Sequence, residues 1–494
     1  MHYIIGVDIG TTHTKAVIIN KEGHVLDEIK QSYPTTQPQP GYSEQDPAAV
    51  LNAVLKVIQK AVTIVPLKEN ILCVAFSAAM HSIMAVNKNG IPITPLLTWA
   101  DIRSNHYAVQ LKQTAMGQEI YEQTGTPIHP MSPLCKIAWI KEKMPDVFAQ
   151  TFKFISMKEY VLHQLCGEYL VDYSIASASG LFNNRRLAWN KNAMDFAGIT
   201  ADQLSKPVLP TYTIKNYSTP FSAKTGLSKN TSIVMGAGDG CLANLGSGAV
   251  LPGEAAITIG TSGAARKFNK QPVTGTSRQL FNYLVDDRTY LCGGGINNGG
   301  NVLKWFACNF LENDFVSKED FDGFMKEAAT VPAGAEGLVF LPYIYGERAP
   351  VWDANAKGIF FGISAIHRKA HFMRAIMEAI CFALFQVLQL MEENGETVET
   401  VYVSGGFIES PLWLQMLTDI INKKVKVFYG ADASSLGAAF MGMKAIGLIK
   451  DWSDAKQFIE TSKEFTPDIV SNKQYLRNFR VYEHLYDKLK DDFH

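Results

Sequence analysis

The sequence predicts an α/β protein of two domains, and three observations carry that prediction. Its 494 residues exceed what one ordinary hydrophobic core takes in, which sets an expectation of two domains of roughly 200 to 250 residues each. Short apolar strands run into glycine turns at three separate places, residues 3–12, 255–263 and 401–406. Between them stand helix starts of the Asp-Pro and Ser-Pro kind, and the apolar run 71–77 has the length and continuity of a buried parallel strand.

Taken in order, residues 3–20 read as a hairpin with a Gly-Thr-Thr turn, and 23–31 as a third strand. Asp46-Pro47 opens a helix whose apolar residues Val50, Leu51, Val54, Val57, Ile58 and Ala61 share one face. The strand 71–77 delivers Ala79-Met80-His81 to the carboxyl end of a sheet, where open α/β folds place ligands. Ser132-Pro133 starts a further helix that Pro145 ends. The segments 160–165 and 174–180 carry no chemical motif, and the Pro- and Thr-rich stretch 207–220 reads as a connector.

The second domain repeats the plan from near Asp239, and the domains are set at 1–243 and 244–494. Strands are expected around Ala255 and Tyr290, then a glycine run 293–300 opening a helix from about Asn301, and a loop over 346–353. A long helix spans 371–392, Ser410-Pro411 caps another, 425–428 is a strand, and a last helix runs over 434–446 with Gly447 as its stop.

Composition narrows the functions. A hydrophobic share of 47% with 19% charged residues describes a soluble globular chain. A net charge of −1 removes the broad electrostatic case for nucleic acid or an anionic membrane as partner. Seven cysteines without a C-x-x-C pair fit a reduced, cytoplasmic compartment, and the start running straight into a strand gives no expectation of export. The sequons at Asn216 and Asn230 are set aside for the same reason. The greasy helix around 375–391 contains Arg374, Glu378 and Gln386 and reads as a core helix rather than a membrane span.

Within the motifs, the turn Gly10-Thr11-Thr12 offers backbone N–H groups and two hydroxyls to phosphate, with Asp8 just ahead of it placed for a hard cation such as Mg²⁺. Gly260-Thr261-Ser262-Gly263 repeats the device. Neither a G-x-x-x-x-G-K-[ST] nor a kinase-type G-x-G-x-x-G motif is present, so P-loop and protein-kinase chemistry are poor candidates. Asp239, framed by Gly238 and Gly240, is a candidate general base, while Gly405-Gly406 leaves a bare surface for a flat ring. Trp99 offers a face for sugar C–H groups, with Asp101 and Arg103 beside it for hydroxyls or a charged terminus.

These junctions, together with Met131-Ser132-Pro133-Leu134-Cys135-Lys136-Ile137-Ala138-Trp139-Ile140 and the pattern from Gly358-Ile359-Phe360-Phe361-Gly362-Ile363 to Glu378, resemble the FGGY carbohydrate kinases over essentially the full length. Lys143 departs from the usual last residue of the first pattern. The resemblance implies two actin-like (ribonuclease H-like) domains, with ATP mostly against the C-terminal one and a sugar acid mostly against the N-terminal one. It implies ATP and Mg²⁺ as cofactors and transfer of the γ-phosphoryl group to D-gluconate. Another polyol or ketose, such as xylulose, ribulose or glycerol, is the alternative acceptor.

By the same resemblance Asp239 is the catalytic base, and Asp8 and Asp239 hold the metal. Gly10, Thr11, Thr12, Lys15, Gly260, Thr261, Ser262, Gly299, Gly405, Gly406 and Ser410 bind the nucleotide, with Gly437-Ala438 lining the same pocket. Met80, His81, Trp99, Asp101, Arg103, Asp239 and Arg266 bind the sugar. Gluconate's carboxylate calls for a cation, for which Arg103, Lys136, Arg266 and Arg348 are candidates, with Arg103 and Arg266 preferred. Small molecules are the expected partners, with no nucleic acid or membrane, and homodimerisation is expected without a located interface.

Overall fold

Residues 3–9 and 16–19 are apolar at nearly every position, so the strands that hold them pair as a hairpin buried on both faces. In the computed structural model, which describes residues 1–273, 280–311, 317–393, 397–428 and 430–493, these are β1 (Tyr3–Ile9) and β2 (His13–Asn20). With β3 (Val25–Ser32), β4 (Ile71–Ala78), β5 (Thr213–Ile214) and β6 (Ser232–Gly238) they form a sheet of order β5-β6-β4-β1-β2-β3. The hairpin strands are antiparallel, whereas β4 lies parallel to both β1 and β6. The carboxyl ends of β1, β4 and β6 therefore share one edge, which brings Asp8, Met80 and Asp239 together.

Alternation along these strands sends side chains to two different cores. Ile5, Val7, Ile18, Val74 and Phe76 pack with Val50, Val54, Val57 and Ile58 of α1 (Pro47–Ile64), as its spacing predicts. Ile4, Val17, Ile19, Cys73 and Ala75 join a core that continues into the second half of the chain.

That half holds β7 (Glu254–Ile259), β8 (Gly263–Asn269), β9 (Phe281–Leu284), β10 (Tyr290–Ile296), β11 (Thr400–Ser404), β12 (Lys424–Phe428) and β13 (Thr461–Phe465). Their order is β9-β10-β8-β7-β11-β12-β13. Around β7 the pattern of the first sheet returns, with an antiparallel partner β8 on one side and a parallel partner β11 on the other. The architectural repeat is thus present in the strands themselves.

Two helices lie between the sheets, α2 (Asp239–Gly246), which follows β6, and α6 (Ala433–Ala445), which follows β12. Three glycines set their approach. A Cβ at Gly246 would lie 2.0 Å from Ala433 O, one at Gly437 1.9 Å from Leu242 O, and one at Gly6 1.9 Å from Ser435 O. Gly437 therefore serves helix packing, and the expectation that it lines a nucleotide pocket is corrected.

The remaining helices of the second half include α3 (Gly300–Phe310), α4 (Lys369–Glu393) and α5 (Pro411–Ile421). The greasy α4 is a core helix, buried along most of its length. The expected boundary at 243 falls inside α2. The stretch 207–220 is more than a connector, since Lys206–Val208 pairs with Leu170–Asp172 and β5 extends the first sheet. All seven cysteines are free.

Candidate active site

The edge where β1, β4 and β6 end faces the end of β7, and two turns meet across the gap. In the first, Gly10 N–H donates to His13 O at 3.0 Å, Tyr33 Oη donates to Gly10 O at 2.5 Å, and Thr35 Oγ1 donates to Thr11 O at 3.3 Å. Gln45 Nε2 also donates to Thr11 O. In the second, Gly260 N–H donates to Ser262 O at 2.8 Å, while Gly300 N–H and Asn301 N–H, the first of α3, donate to Gly260 O at 2.7 Å and Thr261 O at 3.2 Å. Gly299 packs on this turn, where a Cβ would come within 2.7 Å of Ser262 C and 3.0 Å of Gly260 O.

Three carboxylates surround the first turn. Asp8 accepts from Ser77 Oγ at 2.6 Å, and burial, with the charges of Asp432 and Asp239 next, pushes it up to about 8. Lys15 and the Ser77 bond only partly oppose this. Asp432, which the sequence reading missed, caps α6 through Ser435 N–H at 3.0 Å and pairs with Lys15. Lys15 is thus ion-paired beside the turn.

A Mg²⁺ ion suits this arrangement, because a buried acid opposed by two neighbouring acids becomes ionised most readily beside a cation. Among the described residues no three His, Cys, Asp or Glu side chains converge to hold an ion alone. Mg²⁺ in general keeps few protein ligands and takes the rest from water and phosphate.

Asp239 stands at the first turn of α2, half-buried on the wall of a cavity of about 290 Å³. Burial raises its carboxyl above the ordinary range, while Arg266, the Gly240 N–H at 2.7 Å from Oδ1, and the Met80 main chain oppose the rise. Thr11, Met80, His81 and Trp99 line the cavity from the first half of the chain. Ser262, Arg266, Tyr283, Arg348 and Trp352 line it from the second. Both halves of the chain thus line the cavity.

His81 adopts φ +66 and is nearly buried, its Nδ1 2.8 Å from Ala178 O and its Nε2 3.2 Å from Tyr283 Oη. A carbonyl only accepts, so Nδ1 carries the proton and Nε2 accepts from Tyr283. Burial and Lys136 depress the ring to about 3, so it stays neutral. Trp99 Nε1 donates to Thr11 Oγ1 at 2.9 Å, and the Arg348 guanidinium lies 4.8 Å over the Trp99 ring. Arg348 also donates to Asn297 Oδ1 at 2.8 Å and Ile296 O at 3.1 Å.

Arg348 belongs to a loop held by Glu347, whose buried carboxylate accepts from Asn298 Nδ2 at 3.0 Å and the N–H groups of Asn297 at 2.5 Å and Arg348 at 2.8 Å. Burial nevertheless raises Glu347 to about 7. Among the described residues neither Arg266 nor Arg348 has a carboxylate within ion-pair distance.

Two expected sugar contacts are corrected. Arg103 donates to both oxygens of Asp101 at 2.7 to 3.0 Å and to Glu44 at 2.5 Å, with its guanidinium 3.6 Å over the Tyr42 ring. Asp101, fully buried, also accepts from Ser43 N–H at 2.7 Å. Both side chains are consumed by each other and do not line the cavity. Lys136 is likewise buried away from the cavity, donating to His81 O at 2.9 Å and Thr98 O at 2.5 Å.

Beside the second turn a groove of about 770 Å³ opens, lined by Gly260, Thr261, Gly300, Asn301, Lys304, Lys318, Phe321, Gly406, Phe407, Glu409 and Trp413. A Cβ on Gly406 would meet nothing, so its bare face belongs to the groove; a Cβ on Gly405, at φ +102, would come within 2.3 Å of Ile259 O, so this residue supports the groove from behind. Ser410 is corrected to a structural role, since it is buried and caps α5 through Trp413 N–H at 3.2 Å. Lys304, Lys318 and Trp413 were missed, because nothing local marks a helix side chain as facing a distant turn.

The N-terminal domain of the FGGY family of carbohydrate kinases matches residues 3–246, and its C-terminal domain matches residues 255–446. A gluconokinase of Bacillus subtilis (strain 168) is 38% identical over 99% of this chain and 97% of its own length. A ligand-bound xylulose kinase from Lactobacillus acidophilus superposes with a TM-score of 0.95 at 33% identity, covering 100% of this chain and 99% of that one. A gluconate kinase from the same organism superposes at 0.94 and 34% identity, covering 99% and 98%. Two like sheets with a cleft between them, matched in both halves and along the whole sequence, place this chain in the FGGY family of carbohydrate kinases, with two actin-like domains.

Proposed function

We propose that this chain transfers the γ-phosphoryl group of ATP to the terminal hydroxyl of D-gluconate, giving 6-phospho-D-gluconate. The observation that carries the reading is that Arg266 and Arg348, which among the described residues have no carboxylate within ion-pair distance, face the same cavity as Asp239. Such a cavity favours an acceptor that brings its own carboxylate over a neutral polyol, because a carboxylate can make charge-assisted hydrogen bonds to buried guanidiniums that a hydroxyl makes only weakly. The similarity to a gluconokinase supports the same acceptor.

Asp239 orients the attacking hydroxyl and accepts its proton as the new bond forms. The turns Gly10-Thr11-Thr12 and Gly260-Thr261-Ser262, their carbonyls already occupied, present N–H and hydroxyl donors to the phosphates. The groove edged by Gly406 and Trp413 takes the adenine, and Lys304 and Lys318 add positive charge there. Asp8 and Asp239 would hold a Mg²⁺ ion, whose chemistry is neutralisation of charge on the transferred group. Closure of the halves on the cavity excludes water.

D-xylulose is the second reading, since a xylulose kinase superposes as well as a gluconate kinase does. ADP release measured with D-gluconate, D-xylulose and glycerol decides between them. The expected result is a higher kcat/KM for gluconate that Arg266→Met lowers by about tenfold or more while KM for ATP holds. A higher kcat/KM for xylulose, unaltered by Arg266→Met, removes the gluconate assignment.

A further inference from the structure

Strand β6 does not run straight into Asp239. Its ladder with β4 breaks between Val234 and Ala237, with Gly236 at φ +68 in the break. A bulge of this kind re-aims the residues beyond it and leaves main-chain groups to be held by something else. Inside the break Met235 N–H and Gly236 N–H donate to Tyr212 O at 3.0 Å and Pro210 O at 2.9 Å, and just beyond it two side chains hold the main chain: Lys158 Nζ donates to Ala237 O at 3.0 Å, and Gly238 N–H donates to Ser174 Oγ at 2.9 Å.

These two anchors are joined. Lys158 pairs with Asp172 at 2.6 Å, both side chains 1% exposed or less. Asp172 in turn accepts from Ile175 N–H at 3.0 Å, capping the short helix Tyr173–Ser177 that carries Ser174. Asp172 Oδ2 meets no hydrogen-bond donor other than this ammonium among the described residues. One buried ion pair thus fixes both main-chain groups that precede Asp239.

A fully buried ion pair is a poor source of stability, since an apolar pair of similar volume is often as stable or more so. Its cost calls for another return, and what it touches is the backbone immediately ahead of the candidate base. We propose that Lys158, Asp172 and Ser174 are positioning residues that aim Asp239 into the cavity; this rests on the reading of Asp239 as the base.

The test takes the full chain with ATP and D-gluconate. Its variants are Lys158→Met combined with Asp172→Leu, Ser174→Ala, and Asp239→Asn. The double variant leaves no stranded charge. It is expected to lose kcat by about tenfold or more, to keep KM for ATP within about twofold, and to move the acid limb of the kcat–pH profile. Ser174→Ala is expected to do the same by about threefold.

Wild-type kcat and pH profile in Ser174→Ala and in the folded double variant overturn the proposal. So does a loss of kcat that equals the loss of folded protein, with the pH profile unmoved. Should the double variant fail to fold, Ser174→Ala decides by these criteria alone. Asp239→Asn separates the two ideas. Full activity there removes the base assignment, whereas an inactive Asp239→Asn beside wild-type-like positioning variants removes only the positioning role.

Discussion

The two turns that face each other across the cleft are alike in sequence and unlike in how they are held. Around Gly10-Thr11-Thr12 the carbonyls of Gly10 and Thr11 accept from side chains, Tyr33, Thr35 and Gln45, that come from later strands and loops, while Thr12 O accepts from Tyr33 N–H at 3.3 Å. Around Gly260-Thr261-Ser262 they accept from the first N–H groups of α3, which follows Gly299. In both, the first glycine N–H is spent within the turn, on His13 O and Ser262 O, and the N–H groups of the two residues that follow it remain for an anion, with carbonyls held mainly by polar side chains in one turn and by backbone in the other. The first turn also carries the acids Asp8, Asp239 and Asp432 around it, whereas the second opens onto a groove lined by glycines, lysines and aromatic rings. Charge sits on one side of the clamp and shape on the other.

The largest test of that division is Asp8→Asn. Turnover is expected to fall at least about a hundredfold, since charge on the transferred group loses its cation site. Stability is expected to move the opposite way. The folded-state value of about 8 lies above the ordinary 3.8, so between those pH values the folded chain holds a proton that the unfolded chain has released. Wild-type stability therefore falls as pH rises through that window, and the Asn variant escapes the fall. The melting temperature of Asp8→Asn minus that of wild type should grow from pH 5 to pH 8, and a difference that shrinks would contradict the raised value. Addition of Mg²⁺ with ADP should raise the wild-type melting temperature more than that of the variant.

Next come the glycines at the back of each turn. Ala at 299 would set a Cβ 2.7 Å from Ser262 C, a backbone clash with no side chain to give way. Ala at 10 would meet His13 O at 3.0 Å and Asp8 Oδ2 at 3.4 Å, of which the second can shift. Gly299→Ala should raise KM for ATP by about a hundredfold and Gly10→Ala by about tenfold. Equal effects would show that the second turn is no more rigidly braced than the first.

What the sequence revealed of this site follows the same division. Glycine-ended strands are local signals, so both turns, Asp239 and the caps at Asp46 and Ser410 could be read along the chain. Partners set by tertiary approach could not. Asp432 reaches Lys15 across 417 positions of sequence, and no spacing rule predicts that pair. Arg103 sits next to Asp101 and near Trp99, which reads as a sugar-binding cluster until Glu44 and Tyr42 fold against it. Gly437 resembled pocket lining because small residues suit a nucleotide, yet its missing Cβ is needed by Leu242. The bulge at Gly236 was invisible for the same reason: the strand pattern continues through it.

The smallest effect is the most discriminating. Gln45→Ala removes one of two donors to Thr11 O and leaves Thr35 Oγ1, 3.3 Å away, to keep the carbonyl satisfied. Loss of one such bond costs about 1 kcal/mol when the remaining partner can compensate. The change should lower stability by about that amount and raise KM for ATP by roughly twofold to fivefold, with kcat for gluconate kept. If side chains brace the first turn, Thr35→Val added to Gln45→Ala should cost more than the sum of the single changes, since the Thr11 carbonyl then loses both donors. Strict additivity would mean that water replaces them, and that the first turn is held by its strands alone.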